Sequence, residues 1–171
     1  SVGGQASPRS TATTSYKLPV ISGLSGAAVT GLSPTIGGMT ISLSGTFFGP
    51  ALQTEVEVQY GPGNSLGKYT ASSCSVQSQT SITCQTSAGV GTGLKWRVRI
   101  GGQLSSSSLS SPTTAYEPPT ITGLSGNAAS ASGSKTAGGI SLTISGSSFG
   151  PAGQTLVEAK YGPNGTPTKY T

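Results

Sequence analysis

The chain of 171 residues contains no histidine and no aspartate. Those two absences exclude a Ser-His-Asp or Cys-His triad, a histidine-based metal site and an aspartyl dyad. Charge of either sign is scarce, with nine Lys and Arg against four Glu. No run of about 20 apolar residues occurs, so no segment is long enough to span a membrane as a helix. The start lacks the charged-then-apolar form of a signal peptide, which a mature chain would already have lost. Gly supplies 27 residues and Pro 11, and Ser with Thr fill about a third of the chain. Alternating Val, Ile and Leu recur throughout, which separates the composition from that of a disordered chain.

The net charge of +5 raises the question of nucleic acid. The cations scatter from Arg9 to Lys169, however, and only Lys95, Arg97 and Arg99 form a local group. So sparse a field predicts no nucleic-acid partner, and no cofactor is expected.

An internal repeat organises the sequence. GGMTISLSGTFFGPALQTEVEVQYGP from Gly37 matches GGISLTISGSSFGPAGQTLVEAKYGP from Gly138, at an offset of 101. Ile21 to Gly26 matches Ile121 to Gly126 at an offset of 100, and Val2 to Gln5 matches Ile100 to Gln103 at 98. Residues 1–16 thus read as the C-terminal end of a preceding repeat. Residues 17–116 read as one complete repeat, and 117–171 as the N-terminal half of the next. A half repeat leaves its core exposed, so the expectation is a window on a longer array, or a domain completed by another chain.

Each repeat reads as all-β. Met39, Ile41 and Leu43 alternate with Thr40, Ser42 and Ser44, the period of a half-buried strand. Val56, Val58 and Tyr60 do the same, as do Trp96, Val98 and Ile100. Gly and Pro clusters punctuate between them. About seven short strands per 100 residues suggest an immunoglobulin-like sandwich. Trp96 shares a face with Val98 and Ile100, so it is expected in the core rather than as a stacking platform for a ligand.

Pro19-Val20-Ile21, Gly37-Gly38, the strand to Ser44-Gly45, Phe48-Gly49 and Tyr60-Gly61 together resemble the IPT/TIG domain. That immunoglobulin-like module occurs in plexins, in some transcription factors and in accessory domains of secreted glycosidases. The order and spacing occur twice and cover nearly the whole chain. The resemblance implies tandem immunoglobulin-like sandwiches of about 100 residues. It says little of function, because one fold hosts many.

The stretch CSVQSQTSITCQT resembles the plexin-type hairpin with paired cysteines. Cys74 and Cys84 face the same side of neighbouring strand-like runs, and GlnSerGlnThrSer between them is turn material. A disulfide is the expected state, and two buried free thiols are the alternative. The disulfide implies an oxidising compartment, hence an extracellular, secreted or cell-surface protein.

The outward strand positions carry hydroxyls where a soluble sandwich usually carries charge. Sugars are therefore expected on Ser105, Ser106, Ser107, Ser108, Ser110 and Ser111, a Ser run followed by Pro112. Thr40, Ser42, Ser44, Ser141, Thr143 and Ser145 are further O-glycosylation candidates, and Asn164 heads an N-glycosylation pattern. Glu57 and Arg97 are expected to oppose each other across neighbouring strands. Glu55 and Glu57 could in principle form a glycosidase pair, but Leu156 replaces Glu55 in the second repeat, and no enzyme activity is expected. The reading is a building block of an extracellular fibre or stalk, with neighbouring repeats and covalent glycans as its partners. Its alternatives are a receptor or adhesin ectodomain and an accessory module of a secreted carbohydrate-active enzyme.

Overall fold

A computed structural model describes residues 3–6, 8–52, 55–105, 112–129, 136–153 and 157–162. The protein is mostly antiparallel β-structure. In order the strands are β1 (Val20–Ser25), β2 (Thr40–Thr46), β3 (Val56–Gly61), β4 (Tyr69–Thr70) and β5 (Ser72–Ser78). They continue with β6 (Ser81–Gln85), β7 (Lys95–Ile100), β8 (Gln103–Leu104), β9 (Thr120–Ser125) and β10 (Thr143–Ser147). A single helical turn, α1 (Ala27–Thr30), joins β1 to β2, and a 3-10 turn at Asn127–Ala129 joins β9 to β10. Residues 17–116 hold eight strands against about seven predicted, and two of the eight, β4 and β8, are two-residue edge pieces with no readable alternation.

Two four-stranded sheets, β1-β2-β6-β5 and β4-β3-β7-β8, enclose one core. The first contributes Ile41, Leu43, Val76, Ile82 and Cys84, and the second Val58, Tyr60, Trp96 and Val98, all fully buried. Burying one such side chain contributes roughly 1.5–3 kcal/mol. Trp96 lies flat on Tyr60, with ring centroids 4.1 Å apart and planes 9° apart, and its indole N–H donates to Thr114 Oγ1 at 3.0 Å. The expectation that Trp96 is a core residue matches its position.

Turn chemistry sets the connections. Gly101 and Gly102, with φ of 53° and 78°, make a two-residue link between β7 and β8, whose twist suits a tight hairpin. The β5–β6 link is also tighter than the sequence suggests. Only Gln79 and Thr80 lie between the strands, and Ser78 Oγ accepts the Thr80 N–H at 3.2 Å.

The second strand pair copies the first. In β1–β2, Ile21 pairs with Gly45 and Gly23 with Ser44, leaving Ser22 as an extra residue. In β9–β10, Ile121 pairs with Gly146 and Gly123 with Ser145, with the same break. Phe47 and Ser148, one repeat apart, both adopt left-handed backbone, with φ of 63° and 58°. Sequence similarity at offsets of 100 and 101 is therefore matched by identical register.

Candidate interaction surfaces

The two sheets present different chemistry to solvent. No Lys, Arg or Glu occurs in β1, β2, β5 or β6. Every charged residue in a strand of the two sheets lies on the second: Glu57 on β3 and Lys95, Arg97 and Arg99 on β7.

On the uncharged sheet, strand alternation turns Thr40 and Ser44 to solvent and leaves Ser42 half-buried. Ser42 pairs with Thr83, and Thr83 with Ser75, so hydroxyls line up across three strands. In the second strand pair Ser141, Thr143 and Ser145 are exposed. Ser105 departs from the expectation. It is buried, and its hydroxyl oxygen accepts the Val98 N–H at 2.9 Å, so it offers no free oxygen to a sugar. Ser106, Ser107, Ser108, Ser110, Ser111 and Asn164 lie outside the described residues.

The disulfide joins Cys74 to Cys84. Ser72 pairs with Gln85 and Ser75 with Thr83, so Ser73 and Cys74 together oppose Cys84. The bridge thus pins a bulge on an edge strand, with Ser73 in left-handed backbone at φ 51°. Sequence alternation located the pair but gave no sign of the bulge.

Four side chains form a row across the charged sheet. Arg97 donates to Gln59 Oε1 through Nε at 2.8 Å and Nη2 at 2.5 Å. Gln59 Nε2 donates in turn to Glu57 Oε1 at 2.8 Å, and Arg99 Nε lies 3.4 Å from Glu57 Oε2. The expected Glu57–Arg97 opposition is therefore corrected to Glu57–Arg99, with Gln59 opposite Arg97. The register sits one pair further along than the sequence suggests, because β3 pairs with β7 from Val56↔Ile100. Glu57 is held by Gln59 and Arg99, and the shallow pocket beside it is lined by Glu55, Val56, Glu57, Arg99 and Gly102. Among the described residues no cluster of His, Cys, Asp or Glu could hold a metal ion.

An aromatic knot closes one end of the core. Tyr116 donates to the Ser87 carbonyl at 2.5 Å and shares a 2.6 Å hydrogen bond with Tyr60. Burial holds both phenols above their ordinary range. For Tyr116 the hydrogen bond with Tyr60 adds to the rise, whereas for Tyr60 the bonds with Tyr116 and Ser87 offset part of it. Tyr16, one repeat upstream of Tyr116, is 92% exposed against 2%.

The connectors repeat as well. Lys17 Nζ lies 5.2 Å from the Phe47 ring centroid, a cation–π contact. At the equivalent positions one repeat later, Ser148 Oγ donates to Glu117 Oε2 at 3.0 Å. Two unlike pairs thus tie each connector to the strand pair that follows it. A cleft of about 880 Å³ runs beside the second connector, between Leu32 and Val90 on one side and Ile121 and Phe149 on the other. Phe149 is 40% exposed, whereas its counterpart Phe48 is fully buried. The second strand pair thus leaves Ile121, Leu124, Leu142 and Phe149 exposed.

No protein-family model matches this chain, no curated protein matches it, and no solved structure matches it. Among the described residues no helix is long and apolar enough to cross a membrane. The disulfide is consistent with a secreted or extracellular protein.

Proposed function

We propose that the chain is a structural segment of an extracellular fibre or stalk, built from tandem immunoglobulin-like repeats of the IPT/TIG kind and coated with sugars. The duplicated strand pair carries this reading. Two segments about 100 residues apart share register, bulge and left-handed positions, which is how stacked modules of one type arise. The connectors support it, because Pro19 and Pro118-Pro119 stiffen them and a side-chain contact braces each one. The exposed apolar face of β9–β10 supports a further segment, equivalent to β5–β8, as its cover. Neighbouring repeats and covalent glycans are the partners. The chain is not an enzyme in this reading, since Glu57 is engaged by Arg99 and Gln59 and the second repeat lacks a counterpart of Glu55.

Material from the natural source tests it. Electron microscopy is expected to show extended particles with a regular axial repeat, and mass analysis of natural material to find more mass than its own polypeptide accounts for. A compact particle of bare polypeptide mass would overturn the fibre and favour a receptor or adhesin ectodomain.

A further inference from the structure

We propose that the outer face of the β4-β3-β7-β8 sheet is a binding surface for an acidic polysaccharide, gripped by Lys95, Arg97 and Arg99. The inference rests on the extracellular reading above for its choice of polymer, and on geometry for the site.

Three cations on alternate positions of β7 point to one side, about 6.7 Å apart along the strand. Two carboxylates lie at the Arg99 end of this face, Glu57, which Arg99 engages, and Glu55, which lines the same pocket, and neither is an ion-pair partner of Lys95 or Arg97. Arg97 is different. Its side-chain partner is the neutral Gln59 amide, which fixes the guanidinium plane without cancelling its charge. The turn before β4 adds shape, because Gly67 lies directly against Arg97 Nη2 and a larger residue there would displace it. An oriented, uncompensated guanidinium is suited to paired hydrogen bonds from a carboxylate or sulfate group. Lys95 Nζ sits beside Gly63 at the same end of the sheet, and Lys68 adjoins Gly61 there.

The opposite sheet has no charged strand residue, so the strand cations of the sandwich all lie on this one face. The second repeat carries Lys160 where the first has Gln59, and there it pairs with Glu158 at 3.2 Å. An acidic polysaccharide fits better than nucleic acid for two reasons. The aromatic rings of β3 and β7, Tyr60 and Trp96, are buried in the core, so no ring on those strands is free to stack on a base. The disulfide also belongs to a compartment where acidic glycans are abundant and nucleic acid is not.

Immobilised heparin and polygalacturonate are the probes, one sulfated and one carboxylated. The full chain is expected to bind both at low ionic strength and to elute with salt. Lys95→Gln and Arg97→Gln should each weaken binding roughly fivefold. Arg9→Gln removes the same charge from an exposed site elsewhere and should change binding less than about twofold. Equal losses from Arg9→Gln would mean that net charge alone is read, which overturns the proposal. Tighter binding to single-stranded DNA with the same variant dependence would overturn the choice of polymer, and no retention on either probe would overturn the site. Arg97→Gln could disturb the turn at Gly67, so the half-exposed Lys95→Gln serves as the second variant, with the single tryptophan reporting folding. Extended particles that ignore both probes would sink this surface and leave the fibre standing. Compact particles retained through Lys95 and Arg97 would do the reverse.

Discussion

Gly45 and Gly146 occupy the same point of the same strand pair, one repeat apart. At each, the carbonyl oxygen of the facing strand, from Val20 or Thr120, fills the space a Cβ would need. A Phe ring, Phe48 or Phe149, closes the other side. Only glycine lets the backbones approach so closely beside the bulge. The two sites differ in what stands behind them. Phe48 belongs to the buried core, whereas Phe149 is partly open to solvent.

That difference predicts unequal penalties. Gly45→Ala should lower stability by about 3 kcal/mol or more, because backbone and ring must both shift inside a packed core. Gly146→Ala should leave the unfolding of the first sandwich unchanged. Trp96, the single tryptophan, is buried in that sandwich and reports only its transition. Equal shifts in the midpoint of its thermal fluorescence curve would contradict the asymmetry.

Tyr116→Phe removes a hydroxyl bonded to both Tyr60 and the Ser87 carbonyl, and should cost about 1–3 kcal/mol. Tyr16→Phe, at the exposed counterpart, should cost nothing measurable. Both buried phenols have folded-state pKa values above the ordinary value of 10. The folded state therefore binds protons more tightly than the unfolded state. Their contribution is complete below pH 10 and is lost as pH rises further. Denaturant midpoints are expected to fall on alkaline titration above pH 10, and less so for Tyr116→Phe. A midpoint flat across that range would contradict the burial of the pair.

Replacing both Cys74 and Cys84 by Ala should cost about 2–3 kcal/mol, the loop-closure contribution of so short a ring. The bulge at Ser73–Cys74 loses its clamp, so amide exchange should quicken first in β5. Exchange that accelerates evenly over both sheets would mean that the bridge supports the whole core instead.

The row of polar side chains on the charged sheet lends itself to a double-mutant cycle. Glu57 and Arg99 should couple by roughly 0.2–1 kcal/mol, as exposed ion pairs do, and the coupling should fade at high salt. Glu57 and Arg97 should show a smaller, indirect coupling that vanishes in the Gln59→Ala background, since Gln59 stands between them. Direct coupling of Glu57 to Arg97 in that background would restore the register first expected.

Alternation in the sequence was sufficient for β2, β3 and β7 and their inward faces. Ile41, Leu43, Val58, Tyr60, Trp96 and Val98 are buried where a two-residue period puts them. It also located the cysteine pair, because each lies on the inward side of a short strand. The period is local, and it states which side a residue faces without stating what stands opposite. Pairing between strands is set by bulges and turns, and one extra residue changes it. Glu57 met Arg99 rather than Arg97 because β3 and β7 pair without a break from Val56↔Ile100, a two-residue difference that keeps the same face and so leaves no mark in the period, while the β5–β6 turn shrank to Gln79 and Thr80. Ser105 misled for a related reason, since a serine run reads as surface until a backbone N–H from the adjacent strand claims one of its hydroxyls.

Composition determined that charge was scarce, that histidine and aspartate chemistry was excluded and that hydroxyls would dominate the outside. The repeat, too, was complete in the letters, because the two matching segments keep the glycines that their shared strand pairing requires. Alternation already put Lys95, Arg97 and Arg99 on one side of one strand, and only the tertiary structure decided which strands join it. Sheet packing gathers β1, β2, β5 and β6, none of which carries a charge, into the opposite sheet. The tertiary structure also made Tyr116 a core residue and Tyr16 a surface one. The two sit in matching sequence, but burial depends on the atoms that surround a ring, and those come from strands distant in the chain.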